Sequence, residues 1–274
     1  MNTAIELNRL PKPTVIEELS FDQIYKQLEE TFSKAFPEHE LYISDPAMKL
    51  LEVAAYRELL LRQRINDATK SVMLAFAKGS DLDNLAALFG VRRVSDEDDD
   101  RFRHRIPLSL EGYSMAGTKG AYEFHTMSFD DKIKDVFVTS DEPGRVSVYA
   151  LVEHINNTDE LKSALEKYLR SEEIRPLTDL VSVTLVVPST HSVKANIFLN
   201  VGASEQEVKL SIFSALDAFE KAHKVFGCEL PYSGLIDALH QPGVRKVKLL
   251  SPAGDIVPNR TEAIGITVDL VFME

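Results

Sequence analysis

Residues 47–78 read AMKLLEVAAYRELLLRQRINDATKSVMLAFAK, a stretch that contains no Gly and no Pro. Ala, Leu, Arg, Lys, Gln and Met dominate it, and all of these residues favour the α-helix. We therefore predict a single helix across the whole stretch. At about 1.5 Å per residue this helix would be roughly 50 Å long, which exceeds the width of a small domain.

Apolar residues recur along the predicted helix in alternating steps of four and three residues, with an interruption at Glu58. They are Ala47, Leu51, Ala54, Leu61, Ile65, Ala68, Val72 and Ala75. This spacing is typical of a helical bundle or a coiled coil. Other faces of the helix also carry apolar side chains, namely those of Leu50, Val53, Tyr56, Leu60, Met73 and Phe76.

A helix that is apolar on several faces, and too long for its own domain to cover, needs other chains to cover it. We therefore expect the protein to be part of an assembly. The predicted partner interface consists of Leu51, Ala54, Leu61, Ile65, Ala68 and Val72.

The composition of the 274 residues, 44% hydrophobic and 27% charged, is that of a globular protein. The net charge of −12 argues against a nucleic-acid-binding surface, which needs clustered Lys and Arg. A single cysteine, Cys228, excludes an intrachain disulfide and fits a cytosolic origin. We find no secretory signal and no apolar stretch long enough to span a membrane. We expect a soluble protein that is made in the cytoplasm and has no nucleic-acid or membrane partner.

The N-terminal region shows helical patterns only, and we assign residues 1–95 to a helical domain. Its predicted elements are an extended arm over residues 1–16, a helix at Phe21–Phe36 capped by Ser20 or Asp22, the long helix ended by Gly79, and a short helix at Leu82–Phe89 capped by Ser80 and Asp81.

The acidic run Asp96–Asp100 marks a sharp change in composition. We interpret it as a solvated hinge whose charges also favour the first turn of a following helix. That helix is predicted to be short, because Pro107 cannot sit in its interior. Glycines at 112, 117 and 120 then form a flexible stretch. The predicted hinge residues are Asp96, Asp98, Gly112 and Gly117.

Beyond residue 118 the pattern becomes α+β. Alternating apolar residues predict strands at 133–139, 146–152, 180–187, 193–201, 244–250 and 264–272. Helices are predicted to begin at caps Thr118, Thr158 and Ser204, the last within a capping box, and over Ser233–His240. We predict two small α+β modules with mainly antiparallel sheets, a middle domain at 96–190 and a C-terminal domain at 191–274.

The residues that usually carry chemistry form no recognisable site, so we predict no catalytic, cofactor or metal site. The seven histidines are not spaced as metal ligands; they are His39, His104, His125, His154, His191, His223 and His240.

The acidic run lacks the Gly and closing Glu of an EF-hand, which leaves weak cation binding as the alternative to a solvated hinge. Residues 117–120 favour a turn into a helix over a phosphate loop. The nearby helix end and Glu229 should raise the pKa of Cys228 and keep it inert.

Six separated motifs nevertheless form a recognisable order. They are Ala55-Tyr56-Arg57-Glu58 with Arg62–Asn66, Ala77-x-Gly79 through Ala86, Arg105-Ile106-Pro107, Glu111–Gly117, Gly120–His125 and Ile174–Asp179. In order and spacing they resemble the baseplate J-like proteins of contractile phage tails. The resemblance covers nearly the whole chain.

This resemblance implies a baseplate wedge subunit of a phage tail or a tailocin. Two copies of the J-like protein would join one smaller tail protein I-like partner through a shared bundle of N-terminal helices. The C-terminal modules would link six wedges into a ring around the hub, next to sheath-proximal baseplate proteins. The ring would rearrange to release sheath contraction. The hinge would then bend differently in the two copies.

The residues alone leave one alternative from another class of protein. It is an α+β enzyme with an N-terminal helical oligomerisation arm and a site assembled from residues distant in sequence. Such an enzyme would need a concave pocket lined by groups with perturbed pKa values.

Overall fold

The computed structural model describes residues 10–11, 13–39, 41–42, 45–114, 116–154 and 158–273, with the side chain of Thr158 left out. The chain divides into two compact units, and the boundary along the chain lies between Arg93 and Val94. We call the first the helical unit and the second the sheet unit. Most of the predicted N-terminal arm lies outside the described residues.

The helical unit contains three described helices, α1 (Phe21–Ala35), α2 (Pro46–Ser71) and α3 (Gly79–Ala87). The Ser20 hydroxyl caps α1, accepting a hydrogen bond from the Gln23 N–H at 3.5 Å, which confirms one of the two predicted caps. Asp45 caps α2 in the same way, accepting from the Ala47 N–H at 2.9 Å, and Pro46 occupies the first helical turn. Helices α1 and α2 pack against each other.

The predicted single helix over residues 47–78 is wrong in its C-terminal part. Helix α2 has 26 residues, or about 39 Å, and residues 72–76 form turns and a bend. The hydroxyls of Thr69 and Ser71 donate to the carbonyls of Ile65 and Ala68, both at 2.9 Å, and so compete for helical acceptors in its last turns.

The start of α3 also differs from the prediction. Gly79 does not end α2; it adopts a φ of 51° as the first residue of α3. The N-cap is Lys78, without a side-chain cap bond, so the predicted capping by Ser80 and Asp81 is wrong.

An asparagine ties the extended segment before α1 to the middle of α2. The carboxamide of Asn66, which is 5% exposed, accepts from the Glu17 N–H at 3.1 Å and donates to the Glu17 carbonyl at 2.9 Å. Arg62 adds an ion pair to the Glu17 carboxylate at 3.1 Å. The inner face of α2 is thus covered in part by the chain's own extended segment.

The sheet unit begins with α4 (Asp99–Gly112), α5 (Lys119–Phe129), β1 (Ile133–Thr139), β2 (Arg145–Val152), α6 (Thr158–Leu169) and β3 (Leu180–Val186). Thr118 caps α5 as predicted, accepting from the Ala121 N–H at 3.2 Å, whereas the predicted cap by the Thr158 side chain lies outside the described residues. The strands form a three-stranded sheet in the order β1-β2-β3. Helices α5 and α6 pack on this sheet. We call this part the first sheet module.

The second sheet module contains β4 (Ser189–Leu199), α7 (Glu205–His223), α8 (Tyr232–Leu239), β5 (Val244–Ser251) and β6 (Ile264–Met273). Ser204 caps α7 as predicted, accepting from the Glu207 N–H at 3.5 Å. The sheet order is β5-β4-β6, and α7 and α8 cover one face through a core that includes Ile197, Ile212 and Leu235.

The predicted α+β fold class, with N-terminal helices and two small modules, is confirmed. The sheets are not mainly antiparallel, because each combines one antiparallel pair with one parallel pair. In the first module, α6 carries the chain back across the sheet so that β3 runs parallel to β2. The predicted domain boundaries at residues 95 and 190 stay predictions.

The expectation that Pro107 shortens the helix after the acidic run is wrong. Helix α4 has 14 residues and contains Pro107 in its interior. The proline removes one backbone donor from the helix. Phe102 and Ile106 are fully buried beside it, and this burial offsets the lost hydrogen bond.

We expect Asn66→Ala to release the extended segment from α2, because both hydrogen bonds to Glu17 disappear while the helix itself remains. At about 1 kcal/mol per bond, exchange of the Glu17 amide should accelerate by roughly tenfold or more. Hydrogen exchange read by mass spectrometry over residues 13–20 measures this. Gln63→Ala, at an exposed position of the same helix, is the control and should leave that exchange unchanged.

Candidate partner-binding surface and hinge segment

The outer face of α2 carries a row of exposed apolar side chains. Leu50, Leu61 and Ile65 are 71%, 62% and 57% exposed. Leu50, Leu61 and Ala68 share one side of the helix because eleven and eighteen residues are about three and five turns. We call this surface the α2 stripe; its members are Leu50, Val53, Ala54, Leu60, Leu61, Ile65 and Ala68, all exposed.

The six residues predicted as the partner interface do not all fall on this surface. Ala54, Leu61, Ile65 and Ala68 belong to the α2 stripe, whereas Leu51 is half-buried. Val72 is 68% exposed but lies just past the end of α2, so it cannot continue the helical line. Leu50, Val53 and Leu60 occupy the stripe instead.

The opposite face of α2 is covered within the chain. Ala55 is fully buried and Asn66 nearly so, and the two lie eleven residues apart on the same side of the helix. Arg62 bonds Glu58 at 2.6 Å along the helix. One face of α2 therefore belongs to the chain's own fold, and the apolar face points away from it. A helix face of this kind fits another helix or an apolar groove.

The predicted hinge begins with a buried ion cluster. The Glu97 carboxylate, with no exposed side-chain surface, bonds the Arg105 Nε at 3.0 Å and Nη2 at 2.7 Å and forms an ion pair with Arg101. It also accepts from the Val94 N–H at 3.0 Å. The expectation that the whole acidic run is solvated is therefore wrong for Glu97.

The Arg101 guanidinium joins this cluster to the rest of the first sheet module. Its Nε donates to the Ile133 carbonyl at 2.8 Å, and its Nη2 donates to the Met127 and Asp130 carbonyls at 2.5 and 2.8 Å. Burial lowers the pKa of Arg101, and the negative charge of Glu97 opposes this effect. This cluster was not predicted. Glu97 lies just before Asp98, the N-cap of α4, and its spacing of four and eight residues from Arg101 and Arg105 is the signal of the cluster in the sequence.

The other acidic residues of the run have local roles. The Asp98 carboxylate caps α4 by accepting from the backbone N–H groups of Asp100 and Arg101 at 3.0 and 2.9 Å. Asp96 has a φ of 58°, a left-handed conformation that is uncommon outside glycine. The run thus shapes the entry into α4.

The glycines of the predicted flexible stretch lie in close contacts. A Cβ on Gly112 would meet the Phe124 ring at 2.3 Å, and one on Gly117, whose φ is 66°, would meet Pro176 at 2.6 Å. Next to them, the Tyr122 hydroxyl donates to the Asp179 carboxylate at 2.9 Å. These positions need glycine because neighbouring segments approach closely. Hinge motion at Asp96, Asp98, Gly112 and Gly117 stays a prediction.

Among the described residues, no group of three or more His, Cys, Asp or Glu side chains is placed to hold a metal ion. Within the same part of the chain, no helix is both long and apolar enough to cross a membrane. The pKa of Cys228 is raised as expected, although burial is the largest cause and Glu229 the second.

A curated relative, baseplate protein J of Escherichia phage P2, is 34% identical over 284 residues, and the match covers 94% of each chain. The chain belongs to the baseplate J-like family. Residues 44–99 of this baseplate J-like chain match the family's N-terminal domain, and residues 114–184 match its central domain. The first match contains α2 and Glu97, and the second contains Gly117, Tyr122 and Asp179. The predicted resemblance is confirmed.

A solved structure was also found to be similar, the cryo-EM structure of the anti-feeding prophage baseplate. The similarity has a TM-score of 0.43 and 15% sequence identity, and it covers 64% of this chain and 43% of the other.

We expect Glu97→Ala to destabilise the baseplate J-like chain by about 3–5 kcal/mol, because two buried guanidinium groups lose their counter-charge. Chemical denaturation followed by circular dichroism measures the change. Asp100→Asn is the control, since its carboxylate is 94% exposed and its pair with Arg103 should contribute less than about 1 kcal/mol. Equal effects of the two substitutions would contradict the role given to Glu97.

Gly112→Ala should cost about 1–3 kcal/mol of stability, because the new methyl group overlaps the Phe124 ring. The thermal midpoint of unfolding is the measurement. Gly254→Ala provides the comparison, since a Cβ there meets nothing within 4 Å. Equal thermal midpoints for the Gly112 and Gly254 variants would show that the Phe124 ring moves aside at no cost in stability.

Proposed function

We propose that this chain is a structural subunit of a contractile-tail baseplate, in a phage particle or a tailocin. Family membership across nearly the whole chain supports the baseplate role. The observation that carries the more specific proposal is the α2 stripe. It offers apolar surface on a rigid helix whose other face is already occupied.

In the proposed wedge, the α2 stripe packs in a helical bundle with a second copy of the chain and a smaller tail protein I-like partner. Apolar association of this kind gains roughly 25 cal/mol for each Å² of apolar surface removed from water. Arg57 and Arg64 interrupt the line of apolar side chains on the same face. These two cations favour partner helices with acidic side chains at matching positions.

We further propose that the second sheet module contributes to contacts between neighbouring wedges in a ring around the hub, close to sheath-proximal baseplate proteins. Rearrangement of this ring would trigger sheath contraction. Two copies of one sequence would have different surroundings in a wedge. We therefore propose that their conformations differ in the segment at residues 88–120. The chain would be made in the bacterial host cytoplasm and then built into the baseplate.

The proposed role is not enzymatic, since binding surfaces rather than a reacting group would perform it. The α+β enzyme alternative would need a concave pocket lined by groups with perturbed pKa values. Raised carboxyl pKa values occur at Glu123 and Asp135, and the Asp135 carboxylate accepts a hydrogen bond from the Phe226 N–H in the second sheet module.

Leu61→Asp tests the proposed bundle. Leu61 is 62% exposed, so the variant should fold with unchanged circular dichroism. In the wedge the new carboxylate would be buried without a partner, which costs several kcal/mol. We expect co-purification with the co-expressed small tail protein to be lost, as measured by affinity capture and light scattering.

The matched control is Leu177→Asp, which changes an apolar side chain that is 90% exposed outside the α2 stripe. This variant should assemble like the unmodified chain. Normal co-purification of the Leu61 variant would remove the α2 stripe from the wedge contact, while leaving family membership intact.

A further inference from the structure

The carboxylate of Asp135 connects the two sheet modules. Strand β1 has an irregularity in its pairing with β2 between Ile133 and Asp135. Asp135 Oδ2 accepts a hydrogen bond at 2.7 Å from the backbone N–H of Phe226, which follows α7 in the second module. The rings of Phe137 and Phe226 lie next to this bond, with centroids 6.3 Å apart.

The connection matters because the two modules share little other packing. Among the described elements, the extensively packed pairs of helices and strands in the sheet unit all lie within one module. One electrostatic contact also crosses the junction, since the charges of Asp98 and Asp100 act on Lys221 of α7. A contact built from so few groups can open without unfolding either core.

The surroundings of Asp135 are rich in titratable groups. Glu123 on α5 interacts with it electrostatically, and His104 on α4 acts as a favourable charge. Cys228 lies in the segment after α7, and the charge of Asp135 acts on its thiol.

We propose that Asp135 and Phe226 form a latch that can release the two sheet modules from each other while both cores stay folded. The latch is closed when Asp135 Oδ2 accepts the hydrogen bond from the Phe226 N–H. It opens when this hydrogen bond breaks and water solvates both groups.

Burial raises the pKa of Asp135, whereas the N–H groups of Phe226 and Val136 and then the charge of His104 lower it. The hydrogen bond from the Phe226 N–H therefore favours the ionised form of this carboxylate at the junction.

Hydrogen exchange at the Phe226 amide tests the latch directly in the full chain. After correction for the intrinsic exchange rate, residues 224–230 should be protected in the unmodified chain, because the Phe226 N–H donates to Asp135. Asp135→Ala should lower protection by about tenfold at pH 6, because the acceptor is gone. Asp135→Asn should keep it within about threefold, because the carboxamide oxygen accepts the same hydrogen bond.

Glu153→Gln, at an exposed position, is the control and should leave the protection of residues 224–230 unchanged. Strand β2 should stay protected throughout, which separates opening of the latch from global unfolding. Unchanged protection in Asp135→Ala would overturn the latch.

Discussion

The ion pairs of the buried Glu97 carboxylate with Arg101 and Arg105 are the interactions on which the first sheet module depends. The carboxylate neutralises the guanidinium groups of Arg101 and Arg105, which could not otherwise leave water without a large cost. With its charge balanced, Arg101 can satisfy the carbonyls at the end of α5 and the start of β1. The first turn of α4 is thereby linked to the start of β1. The close contacts of Gly112 with Phe124 and of Gly117 with Pro176 bring the neighbouring segments together around this link.

The helical unit differs in how its central helix, α2, is covered. Within the part of the chain that the structure describes, α1 and the extended segment that Asn66 holds cover one side of α2. The other side presents an ordered row of apolar side chains on a rigid support. Burial within the chain fixes the position of α2, and the proposed neighbours would complete its environment. The proposed assembly therefore begins from a preformed surface, and little ordering entropy remains to be lost on binding.

Much of the architecture could be predicted from residue patterns. Alternation of apolar residues located all six strands, and Ser20, Thr118 and Ser204 were recognisable as helix caps because capping is local. The incorrect predictions share a cause, because each concerns a feature that depends on contacts formed only in the folded structure. The end of α2 depends on hydroxyls that bond backbone carbonyls, and the helix through Pro107 depends on burial of its neighbours. Glu97 was assigned to a solvated charge run because its pairing with Arg101 and Arg105 depends on the first turns of α4, which begin after it. The spacing of apolar residues predicted a partner face on α2 without Leu50, Val53 and Leu60, because which residues are exposed depends on what the rest of the chain covers.

The division of α2 into two faces has an evolutionary consequence. A substitution at Ala55 or Asn66 must be accommodated by changes within the same polypeptide. A substitution at Leu61 or Ile65 would, in the proposed wedge, be accommodated by a compensating change in a partner encoded by another gene, or in the identical helix of a second copy. Positions on the two faces of this helix should therefore covary with different sets of residues as related particles diverge.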